Sequence, residues 1–230
     1  MRWRLTLAGL GFLAAAAFIV GLGLDLPTLR FLTKPLPVLC LAAAVAALRR
    51  DPLARALTLG LVLSAVGDAL LEGGLFLPGL LAFLGAHVAY ATGFLLDTRR
   101  PALLRALPFA AWGALIYALL FPSLGGLAVP VLVYLLAICL VMWRAAARIG
   151  AHGPPRADEW AGLLGALAFA ASDTLIALDR FHTPLPRAPL PIILLYWAGQ
   201  CGLAGAALRT ASWGMLREGR GRKETHESRD

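Results

Sequence analysis

Reactive and metal-binding side chains are scarce in this chain of 230 residues. Its three cysteines, Cys40, Cys139 and Cys201, sit in apolar runs and form no CxxC or other metal-ligand spacing. They read as small buried hydrophobes. Of the four histidines, only His87 falls inside an apolar run, which argues against a His-rich zinc site; His182, in DRFH, lies at the end of one. There is no GxSxG elbow for a serine nucleophile and no P-loop for a nucleotide. The net charge of +8 is spread between apolar blocks and in the C-terminal tail, so it marks topology and not a nucleic-acid surface. No metal, other cofactor or nucleic-acid partner is expected.

What the chain has in abundance is apolar sequence: 60% of residues are hydrophobic and the mean hydropathy is +0.76. Soluble domains are about 45–50% apolar. The excess is gathered into blocks near the roughly 20 residues that span a bilayer as helix. The expectation is an all-α polytopic membrane bundle of about eight transmembrane helices, at about 4–24, 34–48, 54–71, 77–96, 103–120, 127–143, 159–178 and 189–208. The second is the weakest, because Pro35 and Pro37 shorten its regular part. The first resembles a signal peptide, but its apolar stretch from Leu5 to Leu24 exceeds the usual h-region of about 7–15 residues, and it reads as an uncleaved span. Residues 1–209 form one membrane domain, and 210–230 a polar, basic tail expected to be disordered. Membrane lipids are its surroundings, and a bacterial inner membrane is the expected location.

Basic residues orient the bundle. The N-terminus, the tail and the alternate loops on their side carry 17 of the 21 Lys and Arg; the other side has only Arg30, Lys34, Arg180 and Arg187. The positive-inside rule then puts both termini in the cytoplasm, with outer loops at 72–76 and 179–188.

Against this background two aspartates stand out, Asp68 in LVLSAVGDALL and Asp173 in ALAFAASDTLIAL. A carboxylate inside a bilayer is costly and marks a functional site by default. Both fall in the outer leaflet, Asp68 about one turn from the end of its span and Asp173 about five residues from its exit. Two nearby carboxylates in low dielectric cannot both hold their charge; one keeps a proton, which separates an acid from a base and suits hydrolysis. They are expected to face each other across one outward-biased cavity. Supporting polar groups come from other spans: Lys34, Ser64 (i, i+4 to Asp68), His87 with Tyr90 on one helix face, Arg180, and Tyr196 with Gln200 on another. Each has a plainer reading. Lys34 and Arg180 can be interfacial, His87 can bond across the bundle, and the aspartates can be structural. The rival functions are a transporter using the carboxylates as a proton relay and a non-catalytic scaffold. AVGDALL at 65–71 also parallels AASDTLI at 170–176, each one span before a helix with spaced polar groups, a faint parallel duplication of 4+4 helices.

These residues also carry a family resemblance. TKPLPVLCL (33–41), LVLSAVGDALL (61–71), FLGAHVAYATGF (83–94), VLVYLLAICLVM (131–142), GALAFAASDTLIALDRF (165–181) and YWAGQCGLAG (196–205) resemble, in order, the YhhN-like lysoplasmalogenase family of eight-span membrane proteins. The resemblance implies cleavage of the vinyl-ether bond of a lysophospholipid substrate to a fatty aldehyde and a glycerophospho-headgroup. Its implied polar site is Lys34, Asp68, His87, Tyr90, Asp173, Tyr196 and Gln200. One aspartic acid would protonate the alkene carbon, and the other, ionised, would stabilise the cation and activate water.

Overall fold

The computed structural model describes residues 2–48, 50–154 and 156–227, with side chains to residue 208, and among them there are helices and no strands. The first helix, α1, is Arg2–Gly23, an apolar rod that shows lipid-facing leucines along most of its length. The expected second span is in two pieces, α2 (Pro27–Thr33) and α3 (Leu36–Ala46). Pro35 and Pro37 have no N–H to continue the ladder of α2, so the chain breaks at Lys34 and restarts. Together they run 20 residues, long enough to span. The short α2 lies between the expected first and second spans and carries Arg30.

Next come α4 (Pro52–Glu72) and α5 (Phe76–Asp97). Asp51 caps α4, its Oδ1 accepting from the Leu53 N–H at 2.9 Å, with Pro52 at the first helical position. The run Leu103–Arg148 is apolar over 46 residues, far more than one crossing needs. It folds back at Gly125, whose φ of 49° suits glycine, into α6 (Leu107–Leu124) and α7 (Ala128–Arg148). The pairing is antiparallel: the Tyr117 hydroxyl bonds Ala128 O near the turn, and the Arg105 guanidinium bonds Ala146 O and Ile149 O at the far end. The last two helices are α8 (Ala157–Phe181) and α9 (Pro189–Glu227). Among the described residues seven helical segments are long and apolar enough to span, one of them folded in two, and together they make an all-α bundle of eight crossings. The part of α9 to Leu208 is the eighth; the side chains of the basic tail lie outside the described residues.

Two hairpins, α4–α5 and α8–α9, are the most intimate packings in the bundle. A Cβ on Gly165 would meet Leu203 N at 2.6 Å, and one on Gly202 would meet Gly165 Cα at 2.6 Å, so α8 and α9 touch backbone to backbone. In α4, Gly60 and Gly67 leave room for the rings of Tyr90 and Phe83 from α5.

At the end bearing residues 97–98 and 148–159, the helices outrun their apolar cores. Arg144, Arg148 and Arg156, read from sequence as loop charges, are parts of a buried ion cluster. Arg148, fully buried, bonds Asp97 at 2.6 Å and lies 3.6 Å from Asp158. Arg156 pairs with Asp158 at 3.1 Å, and Glu159 accepts from the Gly150 and Arg156 N–H groups. Arg144 donates to Thr98 O and Arg100 O. The ion pairs tie α5, α7 and α8 together, so the helices extend past the apolar pattern.

Candidate active site

The opposite end of the same helices holds the site. Helix α5 presents His87 and Phe83, α7 presents Tyr134, and α8 presents Asp173. The Tyr134 hydroxyl donates to Asp173 Oδ2 at 2.9 Å. The His87 ring lies between Phe169, at 4.7 Å, and Tyr134, at 5.2 Å. Its Nδ1 is 2.8 Å from Phe83 O. A carbonyl oxygen can only accept, so Nδ1 carries a hydrogen and Nε2 is the free ring nitrogen of the neutral imidazole. That Nε2 faces Asp173 Oδ2 at 3.6 Å, too long for a hydrogen bond but within a small rotation of one. A proton on the Asp173 carboxyl group would therefore face an open acceptor in Nε2.

Asp173 opens on an apolar cavity of about 70 Å³. Phe76 and Phe181, their rings 6.2 Å apart, stand at its outer end; Trp112 and Ile138 line its deep part. The only ionisable groups in the lining are Asp173 and Tyr134. Over the mouth lies Arg180, exposed, its guanidinium 3.7 Å from the centre of the Phe76 ring.

Asp68 is elsewhere. It is buried and accepts from the Tyr196 hydroxyl at 2.6 Å. Tyr90 donates to Gln200 Oε1 at 2.7 Å and meets Ser64 Oγ at 3.1 Å, so Ser64, Tyr90 and Gln200 make a second buried chain beside it. Asp68 is not in the cavity lining. The arrangement expected from sequence, both aspartates facing one cavity, is thus replaced by two clusters. Between them stand Phe83 and Phe169, each packed edge-on against Tyr196, with Phe83 in the cavity wall. Each aspartate reaches from one hairpin to the other: Asp68 of α4 to Tyr196 of α9, and Asp173 of α8 to His87 of α5.

Lys34 does not touch either aspartate through a hydrogen bond; its ammonium bonds Glu72 Oε2 at 3.0 Å, and Arg30 bonds Glu72 Oε1 at 2.7 Å. Both basic groups are thus held at the C-terminal end of α4, and Arg30 is on a helix, not out in a loop. Glu72 was missed, although it stands one turn beyond Asp68 on the same face. Tyr134 was missed too; a lone hydroxyl in the middle of VLVYLLAICLVM was the available signal. Nothing in the apolar pattern distinguishes Phe83, Trp112 or Phe169 from ordinary core.

Known proteins resemble the chain over most of its length. It is 38% identical over 189 residues to the human protein Lysoplasmalogenase TMEM86A, covering 78% of each chain. Against human Lysoplasmalogenase TMEM86B it is 37% identical over 183 residues, 78% of this chain and 75% of that one. Against the Sus scrofa TMEM86B protein it is 35% identical over 195 residues, covering 82% and 80%. No solved structure matches significantly. The YhhN family match spans residues 29–207, from α2 to the end of the last crossing and across every polar group of both clusters, and the chain belongs to the YhhN family.

Proposed function

We propose that this chain is a lysoplasmalogenase, a multi-pass membrane hydrolase that cleaves the vinyl-ether bond of a lysophospholipid. The observation that carries the reading is Asp173, with His87 and Tyr134, set in the wall of an otherwise apolar cavity beneath an exposed arginine. The lysoplasmalogenases that resemble the chain supply the reaction class.

Vinyl-ether hydrolysis starts with proton transfer to the alkene carbon beyond the ether carbon. The proton held between Asp173 and His87 is the one to give. The resulting oxocarbenium ion sits against the Asp173 carboxylate, which stabilises it as the positive charge develops. Water adds to the cationic carbon and gives its proton to the same pair. The hemiacetal then collapses, the proton passes to the glycerol oxygen, and a fatty aldehyde and a glycerophospho-headgroup leave. Tyr134 fixes the carboxylate, and Phe83 O fixes the His87 tautomer. Asp68 acts through Tyr196, whose ring braces Phe83 and Phe169; Ser64, Tyr90 and Gln200 brace the same wall from behind.

Arg180 is placed for the phosphate. It lies seven residues beyond Asp173 on α8, about 10 Å along the axis, a span that the glycerol backbone between phosphate and vinyl ether fills. Lys34 is held by Glu72 and belongs to the frame. The basic asymmetry of the loops favours cytoplasmic termini, with the mouth outward, and a bacterial inner membrane as its place. The test is release of free aldehyde by the purified protein from synthetic lysoplasmalogen, with the saturated alkyl-ether lysolipid as control. Aldehyde from the first and none from the second is expected; none from either would overturn the reading.

A further inference from the structure

The cavity on Asp173 is too small for a lysolipid. Its volume is about 70 Å³, whereas pockets that take small ligands run to about 300–1,000 Å³. Part of the wall has to move before a substrate enters, and the mouth holds two side chains placed to do so. Phe76 is the first residue of α5 and Phe181 the last of α8. Both are half-buried, and their rings meet edge to face at 6.2 Å. A ring at a helix end can change rotamer without shifting the helix behind it.

These rings are also gripped by a cation. The Arg180 guanidinium lies 3.7 Å from the centre of the Phe76 ring and 5.8 Å from that of Phe181. Among the described residues Arg180 has no ion-pair partner; the aromatic faces are what hold it. Phe76 and Phe181 line the cavity and Arg180 does not, so the rings stand between the guanidinium and Asp173. A phosphate offers that guanidinium two parallel charge-assisted hydrogen bonds, which outweigh a stack on a half-exposed ring. We propose that Phe76 and Phe181 form a gate latched by Arg180, and that the headgroup phosphate opens it by drawing the guanidinium off Phe76. Phe76 is then a specificity residue that favours phosphate-bearing lysolipids over neutral ethers; this rests on the vinyl-ether reading above.

Two measurements test it. The first takes kcat/KM for a neutral substrate, the same alkenyl chain on glycerol without phosphate. Arg180→Ala removes the latch, so its kcat/KM for the neutral ether should rise about three- to tenfold above wild type, the worth of a half-exposed cation–π contact. Phe76→Leu, which keeps apolar bulk but has no aromatic face, should do the same. An arginine that only bound phosphate would leave the neutral ether's value alone, and a value within twofold of wild type in either variant would overturn the proposal. The second needs neither turnover nor a destabilising variant. The full chain carries para-fluorophenylalanine in place of Phe76, in maltoside detergent and phosphate-free buffer, and its fluorine resonance is followed by NMR. A non-hydrolysable alkyl-ether lysophospholipid should shift that resonance as the ring loses the guanidinium, and the matching alkyl glycerol should not. No shift with the phospholipid, or the same shift with both, would overturn the gate. If the wild type releases no aldehyde from any vinyl ether, the activity reading fails, and the resonance still decides the gate.

Discussion

At the residue scale, the account depends on hydrogen bonds with defined directions. Tyr134 gives its only hydroxyl proton to Asp173, so Tyr134→Phe should keep the fold and cost about 1–3 kcal/mol of transition-state stabilisation, on the order of tenfold or more in kcat. An unchanged kcat would remove Tyr134 from the machinery. In the proposed mechanism the Asp173–His87 pair works with one proton between them. Activity should fall both when the pair loses its shared proton and when it gains a second, giving a bell-shaped kcat/KM profile, and His87→Gln should alter its shape. A pH profile identical to wild type in that variant would show that His87 takes no part. Arg180 meets a phosphate bound alike in ground and transition states. Arg180→Ala should therefore raise KM on the order of tenfold, the worth of a charge-assisted hydrogen bond, with kcat largely kept; an unchanged KM would release Arg180 from the headgroup.

At the scale of elements, close approach and buried charge dominate. A methyl on Gly165 has no space against Leu203 N of α9. Gly165→Ala should force α8 and α9 apart and cost about 1–3 kcal/mol, read as lower thermal stability in detergent. Arg148→Ala would strip Asp97 of its guanidinium in a dry setting and should cost about 3–5 kcal/mol; wild-type stability in that variant would show the cluster to be dispensable. The sequence made the helices themselves legible, because a bilayer demands long apolar runs and the basic residues alternate from side to side. Asp68 and Asp173 were legible as costly residues, and His87, Tyr90, Tyr196 and Gln200 as polar breaks in apolar faces. Their pairing was not. Span order fixes depth, but which helix faces which is decided by packing, and Gly60, Gly67, Gly165 and Gly202 look the same in sequence as any other small residue. The pattern also hides an ion cluster such as that of Arg148, since charges at helix ends read as loop until partners from other helices are seen.

At the scale of the whole molecule, the two ends of the bundle differ in kind. One end is tied by buried ion pairs among α5, α7 and α8; the other holds the cavity mouth, with Phe76, Phe181 and Arg180. The contacts between the two tight hairpins are crossed: Asp68 of α4 reaches α9, and Asp173 of α8 reaches α5. With cytoplasmic termini the mouth faces outward, so a reporter inserted after Glu72 should behave as external; cytoplasmic behaviour there would reverse the orientation and turn the mouth inward. The central claim is that the proton comes from Asp173 and that Asp68 acts only through Tyr196. It is tested most directly by the rate of aldehyde release from lysoplasmalogen by Asp173→Asn and Asp68→Asn, each shown to be folded and membrane-inserted. The account predicts that Asp173→Asn falls by about 10²–10⁴, the usual worth of a general acid–base group. It predicts that Asp68→Asn keeps measurable turnover and that adding Tyr196→Phe to it costs little more. Asp173→Asn within tenfold of wild type, or Asp68→Asn as inactive as Asp173→Asn, would contradict it.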